Sequence, residues 1–126
     1  MTYAHNIYIH VPFCAAKCKY CAFFSHACST PDWDEYRKGI IDEIQYWAAR
    51  FGKISVPTIF FGGGTPSLMP AKVFTQIMDA LRTNFAVMPN AEITAEANPA
   101  TIDDGKLCEF CDAGLNRLSI GMYLHC

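Results

Sequence analysis

The chain has 126 residues, of which 52% are hydrophobic, and its formal net charge is −2. This length allows one domain with a substantial core, and the apolar runs fall short of the ~20 residues that a membrane-spanning helix needs. Lys and Arg are scattered, which argues against binding of nucleic acid or an anionic membrane. Seven cysteines, with no signal-peptide pattern at residues 1–6, predict reduced thiols and a cytoplasmic location.

Hydrophobic periodicity predicts four strands that alternate with three helices. Strand patterns occupy four segments: residues 7–11, 57–61, 92–98 and 117–121. The first helix is expected to begin at a Thr30 N-cap, with Pro31 in its first position, and to stop at Gly52. Six apolar residues form its stripe: Trp33, Tyr36, Ile40, Ile44, Trp47 and Phe51.

The other two helices have recognisable ends. Pro70 is expected to open the second helix, Thr101 with Asp104 resembles a capping box for the third, and Gly114 closes the third. The stripe of the second helix also has six residues: Val73, Phe74, Ile77, Met78, Leu81 and Phe85. The β-α-β-α-β-α-β order predicts a parallel sheet with right-handed crossovers.

Apolar and polar residues alternate along the first, third and fourth strands. The polar set consists of Tyr8, His10, Glu92, Thr94, Glu96, Asn98, Arg117 and Ser119. A doubly wound sheet buries both faces, so its strands are usually apolar throughout. One polar face suits a curved sheet with helices outside and a polar lumen inside. We therefore expect an α/β fold, a partial (β/α) barrel of about four parallel strands with outer helices, rather than a flavodoxin-like sheet.

Three cysteines lie close together after the first strand, at Cys14, Cys18 and Cys21. Thiolates are the ligands of iron–sulfur clusters, and a short loop allows three of them to converge on one cluster. Three ligands leave one iron of a four-iron cluster open to bind a small molecule, just as a catalytic zinc keeps an open position. The alternative is a zinc site with Cys28 or His10 as its fourth ligand.

Other candidate residues follow the later strands, and the C-terminal ends of parallel strands meet at one rim. The glycines at 62–64 let backbone approach a ligand, although a strand-to-helix turn is the alternative and no P-loop lysine follows. Glu96 can accept hydrogen bonds from ribose hydroxyls or, alternatively, pair with a basic residue such as Arg117. Asn98 and Gly121 end the third and fourth strands.

Tyr8 and His10 share the polar face of the first strand, where they could contact a cluster or cofactor. For His10 a satisfied pair in the barrel interior is the alternative. Tyr20 is expected to shield the cluster from water or simply to pack. Cys108 and Cys111 form a CxxC within the third helix, and we expect them to be small core or boundary residues rather than metal ligands.

The cysteine spacing resembles the signature of the radical S-adenosylmethionine (radical SAM) enzymes, and four further segments extend the likeness. With the cysteine loop, residues 7–14, 61–67, 94–99 and 113–121 together resemble the oxygen-independent coproporphyrinogen III oxidase family. That family contains radical SAM dehydrogenases of haem synthesis and related haem chaperones. The likeness runs from residue 7 to Met122.

The resemblance implies two cofactors, a [4Fe-4S] cluster on Cys14, Cys18 and Cys21 and S-adenosylmethionine, which the family cleaves reductively. The residues expected to contact S-adenosylmethionine are Tyr8, Gly62, Gly63, Gly64, Thr65 and Glu96. Implied partners are a porphyrin or haem and an electron donor such as flavodoxin or ferredoxin. The family fold is a barrel of six βα units plus a C-terminal helical domain, so residues 1–126 are expected to be its N-terminal part without the remainder.

Two departures from the family pattern matter. The oxidases proper carry a further cysteine two positions after the third cluster cysteine, where this chain has Phe23, and an aromatic residue there resembles the haem-chaperone branch. The pattern also continues beyond Gly121 into a Gln-Ser-Phe segment, whereas this chain ends at Cys126. We therefore expect a truncated, inactive radical SAM protein linked to haem metabolism. A haem-binding chaperone, which could also bind haem as a cofactor, and a small zinc-binding module are the alternatives.

Overall fold

The computed structural model describes residues 4–14, 26, 27 and 31–121. In chain order its elements are β1 (Ile7–Val11), β2 (Phe13–Cys14), β3 (His26–Ala27), α1 (Trp33–Phe51), β4 (Ser55–Gly63), α2 (Ala71–Asn84), β5 (Ala86–Ala97), α3 (Asp104–Asp112) and β6 (Arg117–Ile120). Four strands form a parallel sheet in the order β1-β4-β5-β6, and β2 pairs with β3 separately. None of the described helices is long and apolar enough to cross a membrane.

All three helices pack against one face of the sheet. Ile44 of α1, Phe74 of α2 and Phe110 of α3 belong to the same buried cluster as Phe61 and Ile93 of the sheet. The Phe74 ring lies 4.9 Å from the ring of Phe61 and 4.4 Å from that of Phe110, between centroids. A doubly wound sheet would carry helices on both faces. The arrangement therefore agrees with the predicted partial barrel.

The opposite face of the sheet carries the predicted polar residues. The register places Tyr8 beside Phe60, Phe60 beside Thr94 and Thr94 beside Arg117, which makes one row across four strands. Tyr8 is 57% exposed in this row, whereas Thr94 is only 1% exposed. No described helix covers this face, so the sheet is open on its polar side.

Two strands are longer than the sequence pattern predicted. β4 extends from Ser55 through Gly63 because β1 pairs with it as far as Gly63. β5 begins at Ala86 rather than at residue 92. The β4–β5 register shifts beside Pro57, and proline, which lacks the amide donor for a ladder, is tolerated at such irregularities.

The N-termini of α1 and α3 differ from the prediction, whereas Pro70 directly precedes α2 as expected and the predicted glycine stops are confirmed. Pro31 does not occupy the first position of α1, because that helix begins at Trp33. Thr30 lies outside the described residues, and Asp32 caps α1 by accepting the Glu35 amide at 3.0 Å. Thr101 does not cap α3, because it belongs to a short 3₁₀ turn, and Asp103 accepts the Lys106 amide at 2.8 Å instead. The C-terminal stops are glycines with positive φ: Gly52 at 74° and Gly114 at 121°.

Candidate functional site at the strand ends

The base of the predicted cysteine loop lies at the C-terminal end of the sheet. Phe13–Cys14 follows β1 almost directly and pairs in parallel with His26–Ala27. This pairing places the residues before and after the cysteine segment side by side. Cys14, the first predicted cluster ligand, therefore lies at the rim where β1 and β4 end.

Gly64 and Thr65 hold this base against β4. The Gly64 amide donates to the Val11 carbonyl at 2.6 Å, and the Thr65 amide donates to the Phe13 carbonyl at 2.7 Å. A Cβ atom on Gly64 would overlap the backbone of Phe13, so glycine is what allows the two backbones to approach this closely. The glycine run thus positions the start of the cysteine loop.

Gly63 and Glu96 form the central polar contact of the rim. The β4–β5 ladder ends at the Phe61–Ala95 pair, and beyond it the Gly63 amide donates to Glu96 Oε1 at 2.9 Å. Hydrogen bonds to a carboxylate are stronger than those between neutral groups. Glu96 Oε2 accepts no hydrogen bond from the described residues. Glu96 therefore keeps one acceptor for a ligand at the strand ends.

Tyr8, His10 and Glu96 surround the backbone of Gly62 and Gly63. A Cβ atom on Gly62 would lie 2.7 Å from Glu96 Oε1 and 3.1 Å from Tyr8 Cε2, and one on Gly63 would lie 2.5 Å from the His10 ring. The Tyr8 hydroxyl is 3.1 Å from His10 Nδ1. Partial burial, and after it the negative charge of Glu96, raise the pKa of Tyr8, which keeps the phenol protonated.

Arg117 is not the partner of Glu96, so that alternative is wrong. Arg117 lies opposite Thr94 and donates to Glu92 Oε1 at 2.9 Å, and the Thr94 hydroxyl donates to the same oxygen at 3.2 Å. The side chains of Arg117 and Glu92 are 59% and 49% exposed, so solvent screens the pair and it adds little to stability. The register explains the pairing, because Arg117 sits two residues below Glu96 on the sheet.

Asn98, which the sequence placed among the rim candidates, has a structural role. Its side-chain oxygen accepts the Ala100 amide at 3.0 Å and caps the 3₁₀ turn Pro99–Thr101. Proline directly after Asn98 favours such a turn. The side chain is therefore occupied within the loop.

Several predicted site residues lie outside the described residues. They are Cys18, Cys21, Tyr20, Phe23 and Cys28. The assignment of the cluster ligands therefore stays a prediction, as does the zinc alternative with Cys28 or His10. Among the residues that the structure describes, no three His, Cys, Asp or Glu side chains are grouped so as to hold a metal ion.

The CxxC pair on α3 is exposed, so the predicted burial of Cys108 and Cys111 is wrong. Both are free cysteines in exposed positions. The helix places Phe110 in the core and packs Leu107 against it, which turns the two thiols outwards. Neither belongs to a group of metal-binding side chains in the described part of the chain.

The segment around residues 113–117 closes the opposite end of the barrel fragment. Asn116 donates to the Ala91 carbonyl at 2.8 Å and accepts the Ile93 amide at 2.8 Å. A Cβ atom on Gly114 would overlap the Arg82 guanidinium, which itself donates to the Ala113 carbonyl at 2.8 Å. This motif therefore holds β5 and β6 together rather than contacting a ligand.

The rim is also supported by residues that were not predicted as site residues, one on α1 and two in or after the loops that follow β4 and β5. Tyr36 of α1 donates its hydroxyl to the His10 carbonyl at 2.7 Å, and its ring meets the Phe13 ring edge-on at 5.8 Å. Ser67 and Lys106 connect the loops that follow β4 and β5. Tyr36 was identified only as part of an apolar stripe and Ser67 only as the last residue of the family-like segment 61–67. No pattern marked Lys106, because its partners are distant backbone carbonyls.

Comparison with known proteins identifies the family. A model of the Radical SAM superfamily matches residues 8–122. The chain belongs to the radical SAM superfamily. The solved structure titled coproporphyrinogen III oxidase (HemN) from Escherichia coli is similar to it with a TM-score of 0.87 and 31% identity, over 93% of this chain and 27% of that one. This similarity confirms the predicted partial radical SAM barrel.

Curated relatives carry the two family names that the sequence predicted. The heme chaperone HemW of Escherichia coli strain K12 is 38% identical over 93% of this chain. An oxygen-independent coproporphyrinogen III oxidase of Bradyrhizobium diazoefficiens is 36% identical, also over 93%. The chain spans only 31% and 26% of these two relatives' lengths. The predicted resemblance to this radical SAM family is confirmed.

The radical SAM superfamily implies a [4Fe-4S] cluster and S-adenosylmethionine, and the described part of the rim can be compared with the second of these. S-adenosylmethionine offers ribose hydroxyls and an ammonium group as donors, and the open Oε2 of Glu96 is a charged acceptor for them. The absence of a side chain at Gly62 lets the Glu96 carboxylate and the Tyr8 ring approach the backbone there. The residues that the structure brings together are therefore compatible with a cofactor of this chemistry.

Proposed function

We propose that the chain binds a [4Fe-4S] cluster through Cys14, Cys18 and Cys21 and holds S-adenosylmethionine beside it at the strand ends. The observation that supports this most strongly is the contact between Gly63 and Glu96, a strand-end carboxylate with one open oxygen. It lies on the rim from which the cysteine segment starts. Active sites of parallel βα barrels gather at this end.

Each rim residue then has a defined task. Glu96 accepts hydrogen bonds from the ribose hydroxyls, the backbone of residues 62–65 meets the methionine end, and Tyr8 covers the cofactor from the side of β1. In this superfamily the bound cofactors supply the radical chemistry, and the protein supplies ligands, orientation and exclusion of water. The electron would come from a donor such as flavodoxin or ferredoxin, in the cytoplasm.

Anaerobic reconstitution with iron and sulfide tests the cluster assignment. We expect about four irons per chain and a broad charge-transfer absorption, which Cys18→Ser abolishes. Cys108→Ser is the matched control, because Cys108 is an exposed thiol on α3, and it should keep both signals. Loss of the cluster in the Cys108 variant would contradict the ligand assignment, and zinc without iron would support the zinc-binding module.

A haem-chaperone role is the second candidate, and two observations favour it. Phe23 stands where the oxidases carry a further cysteine, and several similar curated proteins are named heme chaperone HemW. On this reading the chain contributes to binding haem rather than to conversion of a porphyrinogen. Haem titration, followed by Soret absorption, should then saturate at a fixed ratio. Formation of protoporphyrinogen IX from coproporphyrinogen III would instead support the oxidase reading.

A further inference from the structure

A partly buried polar network joins the loop after β4 to the loop after β5. Ser67, which is 1% exposed, accepts the Asn98 amide on its hydroxyl oxygen at 3.1 Å. The Thr101 hydroxyl donates to the Asn98 carbonyl at 2.7 Å and also bonds the Ser67 hydroxyl. Thr101 has one hydroxyl proton, and it is used on Asn98, so Ser67 must be the donor in the pair of hydroxyls.

Lys106 of α3 carries the charge of this network. Its ammonium donates to the Ser67 carbonyl at 2.5 Å and, more weakly, to the Thr101 carbonyl at 3.5 Å. The nitrogen lies 5.9 Å from the centroid of the Phe110 ring. Burial lowers the pKa of Lys106, and the nearby Asp103 opposes that shift. An ammonium with three donors suits a site whose acceptors are backbone carbonyls of two different loops.

The network begins four residues after Gly63 on one side of the rim contact and two residues after Glu96 on the other. Ser67 lies two residues after Thr65, whose amide fixes the base of the cysteine loop. Asn98 lies two residues after Glu96, which accepts the Gly63 amide. Movement of one loop against the other would therefore change the distance between Gly63 and Glu96. A cofactor bound at this rim requires that distance to be kept.

We propose that Lys106 is a positioning residue of the rim: it clamps the Ser67 and Thr101 carbonyls and thereby fixes Glu96 relative to the Gly63 amide. The effect of Lys106 on S-adenosylmethionine binding rests on the proposed function. Its role in fixing the two loops relative to each other does not. Replacing Lys106 by methionine keeps the apolar stem over Phe110 and removes the donors. The Ser67 carbonyl then loses the short hydrogen bond that the Lys106 ammonium donates to it.

Amide hydrogen exchange of the full chain, measured residue by residue, tests the clamp. In Lys106→Met the Gly63 amide should exchange at least about tenfold faster, while amides of the β1–β4 ladder keep their rates. Lys106→Arg should restore most of the protection, and Lys72→Met, at an exposed lysine of α2, should change nothing. An unchanged Gly63 amide, or a rate that rises only together with the ladder amides, would overturn the proposal.

A second variant covers the case in which Lys106→Met does not fold. Lys106→Gln removes the ammonium and shortens the side chain but keeps it polar, so it should also expose the Gly63 amide. If it leaves that amide protected, Lys106 does not hold the rim and the proposal fails.

Affinity for S-adenosylmethionine, measured by equilibrium dialysis of the reconstituted protein, separates this inference from the proposed function. Lys106→Met should weaken binding about tenfold with unchanged iron content. Faster Gly63 exchange with unchanged affinity would show that the clamp does not serve the cofactor. If the unmodified chain binds none, the proposed function fails, and hydrogen exchange alone decides the role of Lys106.

Discussion

The three glycines after β4 have different neighbours, and those neighbours are protein atoms. A Cβ atom would meet Glu96 and Tyr8 at Gly62, the His10 ring at Gly63, and the Phe13 backbone at Gly64. The sequence predicted the run as a place where backbone approaches a ligand. It could not predict the approach to Phe13, because that contact depends on the register in which β1 pairs with β4.

Gly64→Ala should therefore damage the site more than a typical glycine substitution. The added Cβ overlaps backbone, which cannot rotate away as a side chain can, so we expect a loss of about 1–3 kcal/mol in the free energy of unfolding and less iron after reconstitution. Urea unfolding and iron analysis measure the two effects. Gly39→Ala is the control, because nothing lies within 4 Å of its Cβ position on α1. Alanine there should be neutral or slightly stabilising, and equal losses in both variants would contradict this account.

At the scale of elements, alternation along the strands was the most informative pattern. It predicted three strands of the parallel sheet and the face of Glu96, and a short apolar run predicted the remaining strand, β4. Element ends were less predictable, because Asp32 and Asp103 compete with Thr30 and Thr101 as caps and only the chain geometry decides between them. The strands β2 and β3 have two residues each, which is too short for a pattern of alternation.

The N-terminal turn of α1 supports β1 through Tyr36, and this support should depend on pH. Burial, and after it the neighbouring Tyr8, raise the pKa of the Tyr36 phenol well above its usual 10.0. The folded chain then keeps a proton that the unfolded chain loses above pH 10, so the stabilisation is complete below that pH and declines as the pH rises further. Tyr36→Phe should flatten this alkaline decline.

Urea midpoints at about pH 8 and about pH 10.5 measure the effect. At the lower pH, Tyr36→Phe should lower the free energy of unfolding by about 1 kcal/mol, because it removes the hydrogen bond to the His10 carbonyl. Tyr46→Phe, at an exposed position of the same helix, should leave the alkaline decline as it is. If the stability of the Tyr36 variant fell with rising pH as steeply as that of the original chain, the role assigned to that phenol would be contradicted.

At the scale of the whole molecule, the chain is one side of a barrel. Its helices cover one face of a four-stranded sheet, and among the described residues the polar face with Tyr8 and Glu96 has no cover. The chain spans about a quarter to a third of the length of its relatives. The expectation that it is a truncated, inactive form stays a prediction, as do the haem partner and the electron donor.

The family motifs were predictable because they follow the strands directly in the chain, so the order of strands and motifs places them at one rim even where the strand ends shift by a few residues. The support behind them was not predictable. Lys106 and Tyr36 act on backbone carbonyls that lie 39 and 26 residues away in the chain, and hydrophobic periodicity contains no information about such contacts.

The central claim is that Glu96 marks the S-adenosylmethionine site of this chain. Equilibrium dialysis of the anaerobically reconstituted protein with S-adenosylmethionine tests it most directly. Glu96→Gln should bind at least about tenfold more weakly with full iron content. Glu92→Gln, four residues earlier on the same face and engaged with Arg117, should bind like the original chain. Equal affinity in both variants, or no binding by the original chain, would contradict the account.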